Sequence, residues 1–546
     1  MTTTTPDTIA AESSALEYRR HGWWREETFL DDLRLQARTR PRKLAVVGRR
    51  LDEARTDTLD YAELERLTDR FAGALLALDV QRGDVVAVQL PNTWEMAPLI
   101  FACIAVGAVL CPIVPSCRDE ELRHRLELTE ARICITVAES DGYQLAEAIV
   151  TMRRELPLEH VVVLGGRAPE GAIEFHEHFS SVRWEEQRAQ QLAGRALSPD
   201  EPFVILFTSG TTGFAKGVVH SQNTVYSGVR GYVDAFQLRD DLVAVVTTPL
   251  VHYSGFGQGV IAGVLLGGTI AFQDGQSHPG LLDLVERYRA TLIYGPPPMH
   301  FGVAAAQRAE PRDVSSLRST LTGAAPVTQE LVDELRETFG TVTYSVWGMS
   351  EFGPITISRL DYDKDWAAHS HGRPIASMET RIDQCDDPSK RAEVGRLRVR
   401  GASRALGYYK QQDAFDSELT GDGWFDTGDV ARADGRGGIR ILGRAKDAIL
   451  REGAVVPMAE LEAVLIRHPH VAEAALVGPT GSIDDPVVAV IVPRGEARPT
   501  LRELQDHLLE HGQDARFLPE RLETIAALPK TATGKVRKIE LRKLLV

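Results

Sequence analysis

The chain has 546 residues, 43% of them hydrophobic and 25% charged, an ordinary balance for a globular protein with room for roughly three or four structural units. Its formal net charge of −15 argues against a dedicated binder of nucleic acid or of an anionic membrane surface. The five cysteines (Cys103, Cys111, Cys117, Cys134 and Cys385) form no Cys-x-x-Cys pair and point to reduced, buried thiols in a cytoplasmic protein.

Residues 2–7 form a polar tail, and residues 1–20 lack the apolar core of a secretory signal, so none is expected. Residues 26–39 read as an amphipathic helix. From Ala45 onward strand text alternates with helix text. Residues 60–79 place Leu64, Leu67, Phe71, Leu75 and Leu76 at helical spacing, residues 85–88 form a strand, and Pro91-Asn92 makes a turn. Residues 96–114 are nearly all apolar, yet Pro98, Gly107 and Pro112 interrupt them and basic flanks are missing. They read as a buried helix ending near Gly107 and then a buried strand, not as a membrane span. Further strands are expected at 133–137 and 161–164, and an irregular polar arm at 169–200. This alternation implies an α/β fold of layered, mainly parallel sheets.

A short apolar run at 203–206 then leads into Phe207-Thr208-Ser209-Gly210-Thr211-Thr212-Gly213-Phe214-Ala215-Lys216-Gly217. Glycines admit close backbone approach to an anion, hydroxyls add donors and Lys216 adds a positive charge, so the loop suits a nucleotide polyphosphate. It is not a Walker A loop, because Lys216 is followed by glycine and the preceding spacing differs. A helix at 221–236 and a strand at 243–247 follow. Gly255-x-Gly257-x-Gly259 falls one residue short of the dinucleotide fingerprint. Residues 320–326 read as a strand ending in a turn. The run Gly348-x-Ser350-x-x-Gly353 lacks the Gly-x-Ser-x-Gly elbow of a serine hydrolase. Residues 422–429 are rich in turn residues. After residues 441–447, a helix at 457–468, strands at 474–477 and 487–492 and a helix at 500–510 compose a small α+β unit, followed by the basic segment 528–538.

Five of these segments, in this order, resemble the motifs of the adenylate-forming superfamily of acyl-CoA synthetases, luciferases and peptide-synthetase adenylation domains. The similarity runs from about Glu27 to Leu544. It implies a large N-terminal ATP- and acid-binding domain of layered sheets and helices (1–443), a hinge (444–447) at Lys446, and a small mobile α+β C-terminal domain (448–546). Thr208, Ser209, Gly210, Thr211, Thr212, Gly213 and Lys216 would cradle the phosphates. Gly323, Ala324, Ala325 and Pro326 would wall the adenine and acyl pocket. In Trp347-Gly348-Met349-Ser350-Glu351, Trp347 would be the flat neighbour of adenine, a role any aromatic can fill. Ser350 keeps the hydroxyl of the usual threonine, and Glu351, with Thr208, would hold Mg²⁺. Asp429 would accept both ribose hydroxyls, with Arg444 beside the nucleotide. His252 would stand at the mouth of the acyl pocket where amino-acid-activating relatives carry aspartate, which disfavours an α-amino acid. Val251, Tyr253, Gly323 and Val346 would shape that pocket for an apolar acid of modest size. Gly453 would line the coenzyme A channel, beside a Val455 that stands where asparagine is usual. Lys535 would be the mobile catalytic lysine, assisted by Lys216 and His252.

The implied activity is an AMP-forming acid–thiol ligase that uses ATP, Mg²⁺ and coenzyme A on a medium-chain, alicyclic or aryl acid. The wording around His220 and Trp347 is similar to that of medium-chain or cyclohexanecarboxylate ligases. No carrier domain follows the basic segment, so the acyl acceptor is expected from outside the chain, and the oligomeric state is open between monomer and homodimer. Two alternatives stay open. One keeps adenylation but activates nitrite, or passes the acyl group to an amine or carrier protein. The other is a non-catalytic binding homologue, against which Lys216, Glu351, Asp429 and Lys535 all speak.

Overall fold

The computed structural model describes residues 14–208, 215–325, 327–384, 394–452, 454–480, 482, 485–530 and 536–545. Two large sheets dominate it. In the nine-stranded sheet, the six strands Leu44–Arg50, Thr269–Gln273, Val243–Val246, Leu292–Gly295, Ser319–Gly323 and Val342–Met349 run parallel. Antiparallel strands close its edges: Arg55–Asp60 on one side, Gly353–Ile357 and Arg373–Pro374 on the other. In the eight-stranded sheet, Pro202–Phe207, Val109–Pro112, Val85–Gln89, Ile133–Val137, His160–Leu164 and Ile173–Glu174 are parallel, and Gly217–Ser221 and Gly407–Tyr408 add antiparallel edges. A four-stranded antiparallel sheet, Met378–Gln384 to Ile439–Arg444, lies beyond them.

The helices begin where their caps dictate. Asp60 accepts the Glu63 N–H at 2.8 Å while Glu63 accepts the Asp60 N–H at 3.1 Å, which starts the helix Tyr61–Ala77. Ser221 and Thr224 make the same reciprocal pair at the head of Gln222–Ala235. Met96–Val106 is an α-helix buried on every face, and Gly107 ends it at φ +85°, as the sequence suggests. It joins one continuous core drawn from both large sheets. No helix among the described residues is long and apolar enough to cross a membrane.

Two expectations change. The arm 169–200 is not irregular: it contains the strand Ile173–Glu174, a π-helical turn His176–Ser180 and the helices Trp184–Gln187 and Ala189–Leu192. The cause is aromatic burial. Phe175 and Phe179 stack at 4.7 Å and meet Phe71 edge-on at 5.3 and 5.6 Å, all three fully buried. Second, the chain after Lys216 does not pass from loop directly to helix. Gly217–Ser221 is a strand, because Val218 and Val219 pair with Leu206 and Ile205 on one side and with Tyr408 and Gly407 on the other.

Beyond Arg444 stands a small unit with its own core. It contains the hairpin Leu450–Arg451 with Ala454–Val455, the helices Met458–Ile466 and Leu501–Glu510, and a sheet of Val471–Val477, Val488–Pro493 and Arg521–Thr524. Ion pairs Arg440–Glu460 at 2.6 Å and Arg467–Glu330 at 2.7 Å join it to the larger body.

Two histidines of the large body, His220 and His300, are inaccessible to solvent, and burial pushes each imidazole down to about 4. Such a group is neutral in the folded state but takes a proton near 6.5 once unfolded. Its stabilising contribution is therefore full above pH 6.5 and is lost as pH falls toward 4. For His300 the loss between pH 7 and pH 5 is on the order of 2 kcal/mol. His300→Gln keeps a donor for the Leu321 carbonyl, which His300 Nε2 meets at 2.9 Å, but cannot titrate. Its urea midpoint is expected to fall less than the parent's between pH 7 and pH 5; equal falls would refute the assignment.

Candidate active site

The C-terminal ends of parallel strands in both large sheets open onto one cavity of about 560 Å³, lined also by the four-stranded sheet and the segment leading to the small unit. Thr208 and Lys216 stand at the two ends of the glycine-rich loop, and the Thr208 N–H donates to the Lys216 carbonyl at 3.0 Å, which closes the base of that loop. Ser209, Gly210, Thr211, Thr212 and Gly213 lie outside the described residues, as do Pro326, Gly453 and Lys535.

The Lys216 ammonium lies over the Tyr408 ring, 4.6 Å from its centroid. The Tyr408 hydroxyl donates to Glu351 Oε1 at 2.8 Å. Glu351 itself is only 6% exposed, and burial raises its carboxyl above the usual range, against the opposing pull of the Tyr408 hydrogen bond, Arg444 and Lys216. The backbone on either side of that carboxylate is fixed. The Ser350 carbonyl accepts from His220 Nε2 at 2.7 Å, and the Ala405 N–H donates to the Glu351 carbonyl at 2.8 Å. Lys216, Tyr408 and Glu351 thus form one connected row along the cavity. Lys216 and Glu351 stand out in the sequence, whereas Tyr408 lies 57 residues from its carboxylate partner and does not.

Asp429 pairs in register with Arg444, and Arg444 Nε lies 3.3 Å from its carboxylate. Arg444 also donates to the Thr427 carbonyl at 2.8 Å. Thr427, Gly428 and Arg444 line the cavity, whereas Asp429 is 7% exposed and not part of its lining. Asp426, passed over in the sequence, lines the cavity too. Burial opposes its ionisation, but Arg396 at 2.7 Å and the Gly428 N–H at 2.9 Å outweigh it and hold the carboxyl below the usual range.

The remaining wall is delivered by a clamp. The Asn92 side chain accepts the Leu250 N–H at 2.7 Å and donates to the Thr248 carbonyl at 3.1 Å, fixing the turn before Val251-His252-Tyr253. Gly255 permits that turn, since a Cβ there would sit 2.2 Å from the Pro249 carbonyl oxygen. Val251, His252 and Tyr253 all line the cavity, with His252 exposed and its neighbours buried. Val346, Gly348, Met349 and Ser350 line it as well, as does Ala324, held at φ +65°. Gly323 lies beneath, where a Cβ would meet the Val346 carbonyl oxygen at 2.6 Å. Trp347 is not on this wall: it packs as a partly buried side chain against the main core, and Ala325 is likewise outside the lining.

Lys446 lines the cavity and sits in a 3₁₀ turn, Ala445–Asp447, whose two ends are held by different bodies. Arg444 is bound to Thr427 and Asp429, whereas Asp447 pairs with Arg542 of the C-terminal helix Lys538–Leu545 at 2.5 Å. Among the described residues no group of three His, Cys, Asp or Glu side chains could enclose a metal ion. One buried carboxylate and a threonine hydroxyl on a shared cavity do fit Mg²⁺, which takes one or two carboxylates and completes its shell with water and phosphate oxygens.

A family model described as AMP-binding enzyme matches residues 33–409, and one described as AMP-binding enzyme C-terminal domain matches residues 460–535. The chain is 30% identical over 529 residues to the 2,3-dihydroxybenzoate-AMP ligase of Bacillus subtilis (strain 168), covering 96% of this chain and 95% of that one. It is 28% identical over 538 residues to the medium-chain fatty-acid–CoA ligase of Escherichia coli (strain K12), covering 97% and 93%. Its fold is similar to the crystal structure of the anthranilate CoA ligase AuaEII in complex with anthranoyl-AMP, with a TM-score of 0.81 and 24% identity over 95% of this chain and 97% of that one.

Proposed function

The chain belongs to the AMP-binding enzymes of the adenylate-forming superfamily, and on that premise we propose that it is an acid–coenzyme A ligase working through an acyl-adenylate. In the first half-reaction an oxygen of the acid's carboxylate attacks the α-phosphorus of ATP and pyrophosphate leaves. In the second the coenzyme A thiolate attacks the acyl carbon and AMP leaves. The observation that carries this reading is the row Lys216–Tyr408–Glu351 on the same cavity as Arg444, which pairs with Asp429. The row supplies charge for phosphates, the pair a carboxylate for a ribose diol.

These residues act by positioning and charge. Lys216 meets phosphate oxygens, its ammonium held in place by the Tyr408 ring. Glu351 and Thr208 would hold Mg²⁺, which when bound neutralises the charge gathering on those oxygens. His252, exposed at the cavity, is placed to receive the carboxylate. The 3₁₀ turn at Lys446 suits a hinge, because its ends are anchored on separate bodies.

The test supplies ATP, Mg²⁺, a panel of acids and coenzyme A, and follows AMP and thioester together. Equal amounts of both are expected. AMP release without thioester would exclude the ligase and favour delivery to a carrier protein, an amine or another acceptor. Val455 is the feature that speaks for that second reading: it puts an apolar side chain in the hairpin beside the expected thiol channel.

Tyr408→Phe is expected to raise the Mg²⁺ concentration needed for half-maximal pyrophosphate exchange by about tenfold, because the Glu351 carboxylate loses the hydroxyl that orients it. An unchanged Mg²⁺ requirement would remove Tyr408 from that role.

A further inference from the structure

One side chain that does not line the cavity holds the wall expected to receive the acid. Asn92 stands in the turn after the buried strand Val85–Gln89, part of the eight-stranded sheet. The wall residues Val251, His252 and Tyr253 follow the strand Val243–Val246, part of the nine-stranded sheet. A single amide ties the two runs together. Its Oδ1 accepts the Leu250 N–H at 2.7 Å, and its Nδ2 donates to the Thr248 carbonyl at 3.1 Å. These partners fix which end of the amide is which, because a backbone N–H only donates and a carbonyl only accepts.

A carbonyl and an N–H two residues apart are what a parallel strand edge offers its neighbour. Asn92 takes the neighbour's place where the two sheets part. Leu250 is inaccessible to solvent, so without the amide its N–H would be buried and unpaired. The anchor beneath Asn92 is stiff. The Thr93 N–H donates to the Pro91 carbonyl at 2.7 Å, and Glu95, fully buried, pairs with Arg50 at the end of the strand Leu44–Arg50. On the far side the turn passes the constraint on. The His252 N–H donates to the Pro249 carbonyl at 3.0 Å, and the His252 carbonyl accepts the Phe256 N–H at 2.9 Å. The groups expected to meet phosphate and metal are held by other means. Lys216, Tyr408 and Glu351 hold one another, and His220 and Ala405 fix the backbone beside Glu351.

We propose that Asn92 is a positioning residue for the acid: it fixes the turn that sets Val251, His252 and Tyr253 against the carboxylate and acyl group, and it takes no part in holding ATP. This rests on the adenylation reading above and adds to it a residue outside the cavity. Attack on the α-phosphorus needs the carboxylate oxygen in line with the leaving pyrophosphate, so a small misplacement of the acid is costly.

The test measures ATP–pyrophosphate exchange by the full-length protein, with the acid the parent uses best, and compares Asn92→Ala and Asn92→Asp with the parent. Alanine removes both hydrogen bonds. Aspartate keeps an acceptor for Leu250 but turns a second acceptor on the Thr248 carbonyl. Each variant is expected to lose about tenfold or more in kcat/KM for the acid, while KM for ATP stays within about twofold of the parent's. Amide hydrogen exchange gives a reading that needs no acid. The Leu250 and His252 amides should exchange faster in the variants than in the parent, while those of the helix Met96–Val106 do not. Equal losses for acid and ATP, acid kinetics like the parent's, or unchanged protection at Leu250 would overturn the proposal. Should alanine fail to fold, the aspartate variant, of the same size as the parent residue, carries the test; failure of both to fold would make Asn92 structural and overturn the assignment. If the parent exchanges with no acid and AMP gives no thermal shift, the adenylation reading itself falls, and the amide readout still decides whether Asn92 holds the turn.

Discussion

Glu351→Gln is expected to lower ATP–pyrophosphate exchange by on the order of 10²–10³-fold while leaving the protein folded and more stable than the parent at neutral pH. The two effects have one origin. Glu351 is 6% exposed, and burial raises its carboxyl. A carboxyl raised in this way contributes stability below its unfolded pKa and loses that contribution as pH rises through the folded value. At pH 7 the fold therefore carries a buried negative charge at a cost. Glutamine removes the charge and keeps an oxygen to accept the Tyr408 hydroxyl now bonded at 2.8 Å. What it cannot do is offer an anionic oxygen to Mg²⁺. The measurements are exchange rate against Mg²⁺ concentration and a urea midpoint at pH 7. Loss of activity with loss of stability would mean that Glu351 is structural. Activity near the parent's would mean that the metal is held elsewhere. The raised carboxyl adds a corollary: the parent's Mg²⁺ requirement should climb on acidification at a higher pH than an ordinary carboxylate would cause.

Lys535→Ala is expected to abolish adenylate formation, by on the order of 10²–10³-fold, yet leave thioester synthesis from supplied acyl-adenylate close to the parent's. The two half-reactions divide the labour. Attack on the α-phosphorus gathers negative charge between two anions, and a single ammonium placed there lowers that barrier. Thiol attack on the finished adenylate expels AMP and does not need it. The residues on either side of the lysine's segment are pinned to the small unit. Lys530 bridges to Val536 and pairs with Glu473 at 2.6 Å, and the Arg537 N–H donates to the Pro529 carbonyl at 2.7 Å. Single-turnover measurement of each half-reaction checks the point, and equal loss in both would remove the assigned role.

What the sequence made legible follows from how far apart the interacting groups lie. Strands such as Val85–Gln89 and Ile133–Val137 are unbroken apolar runs, and the helix Tyr61–Ala77 has both its period and its cap in local text. The loop ending at Lys216 and the carboxylate at Glu351 were readable because each sits in a particular local wording. Tyr408 was not, since its value comes from touching both across the fold. The strand Gly217–Ser221 was hidden because half its pairing comes from Gly407–Tyr408, far along the chain. Trp347 packs partly buried against the main core, while Val346, Gly348, Met349 and Ser350 line the cavity, a placement that only the fold displays.

The short turn at Lys446 is gripped at one end beside Asp429 and at the other by Arg542. If the small unit turns about these links, the motion would fall downstream of the groups expected to seat the sugar. A reactive anhydride made in the cavity would stay moored by its nucleotide while the tail exchanged one face for another. The two chemical steps would then share a single berth, with no diffusible species between them.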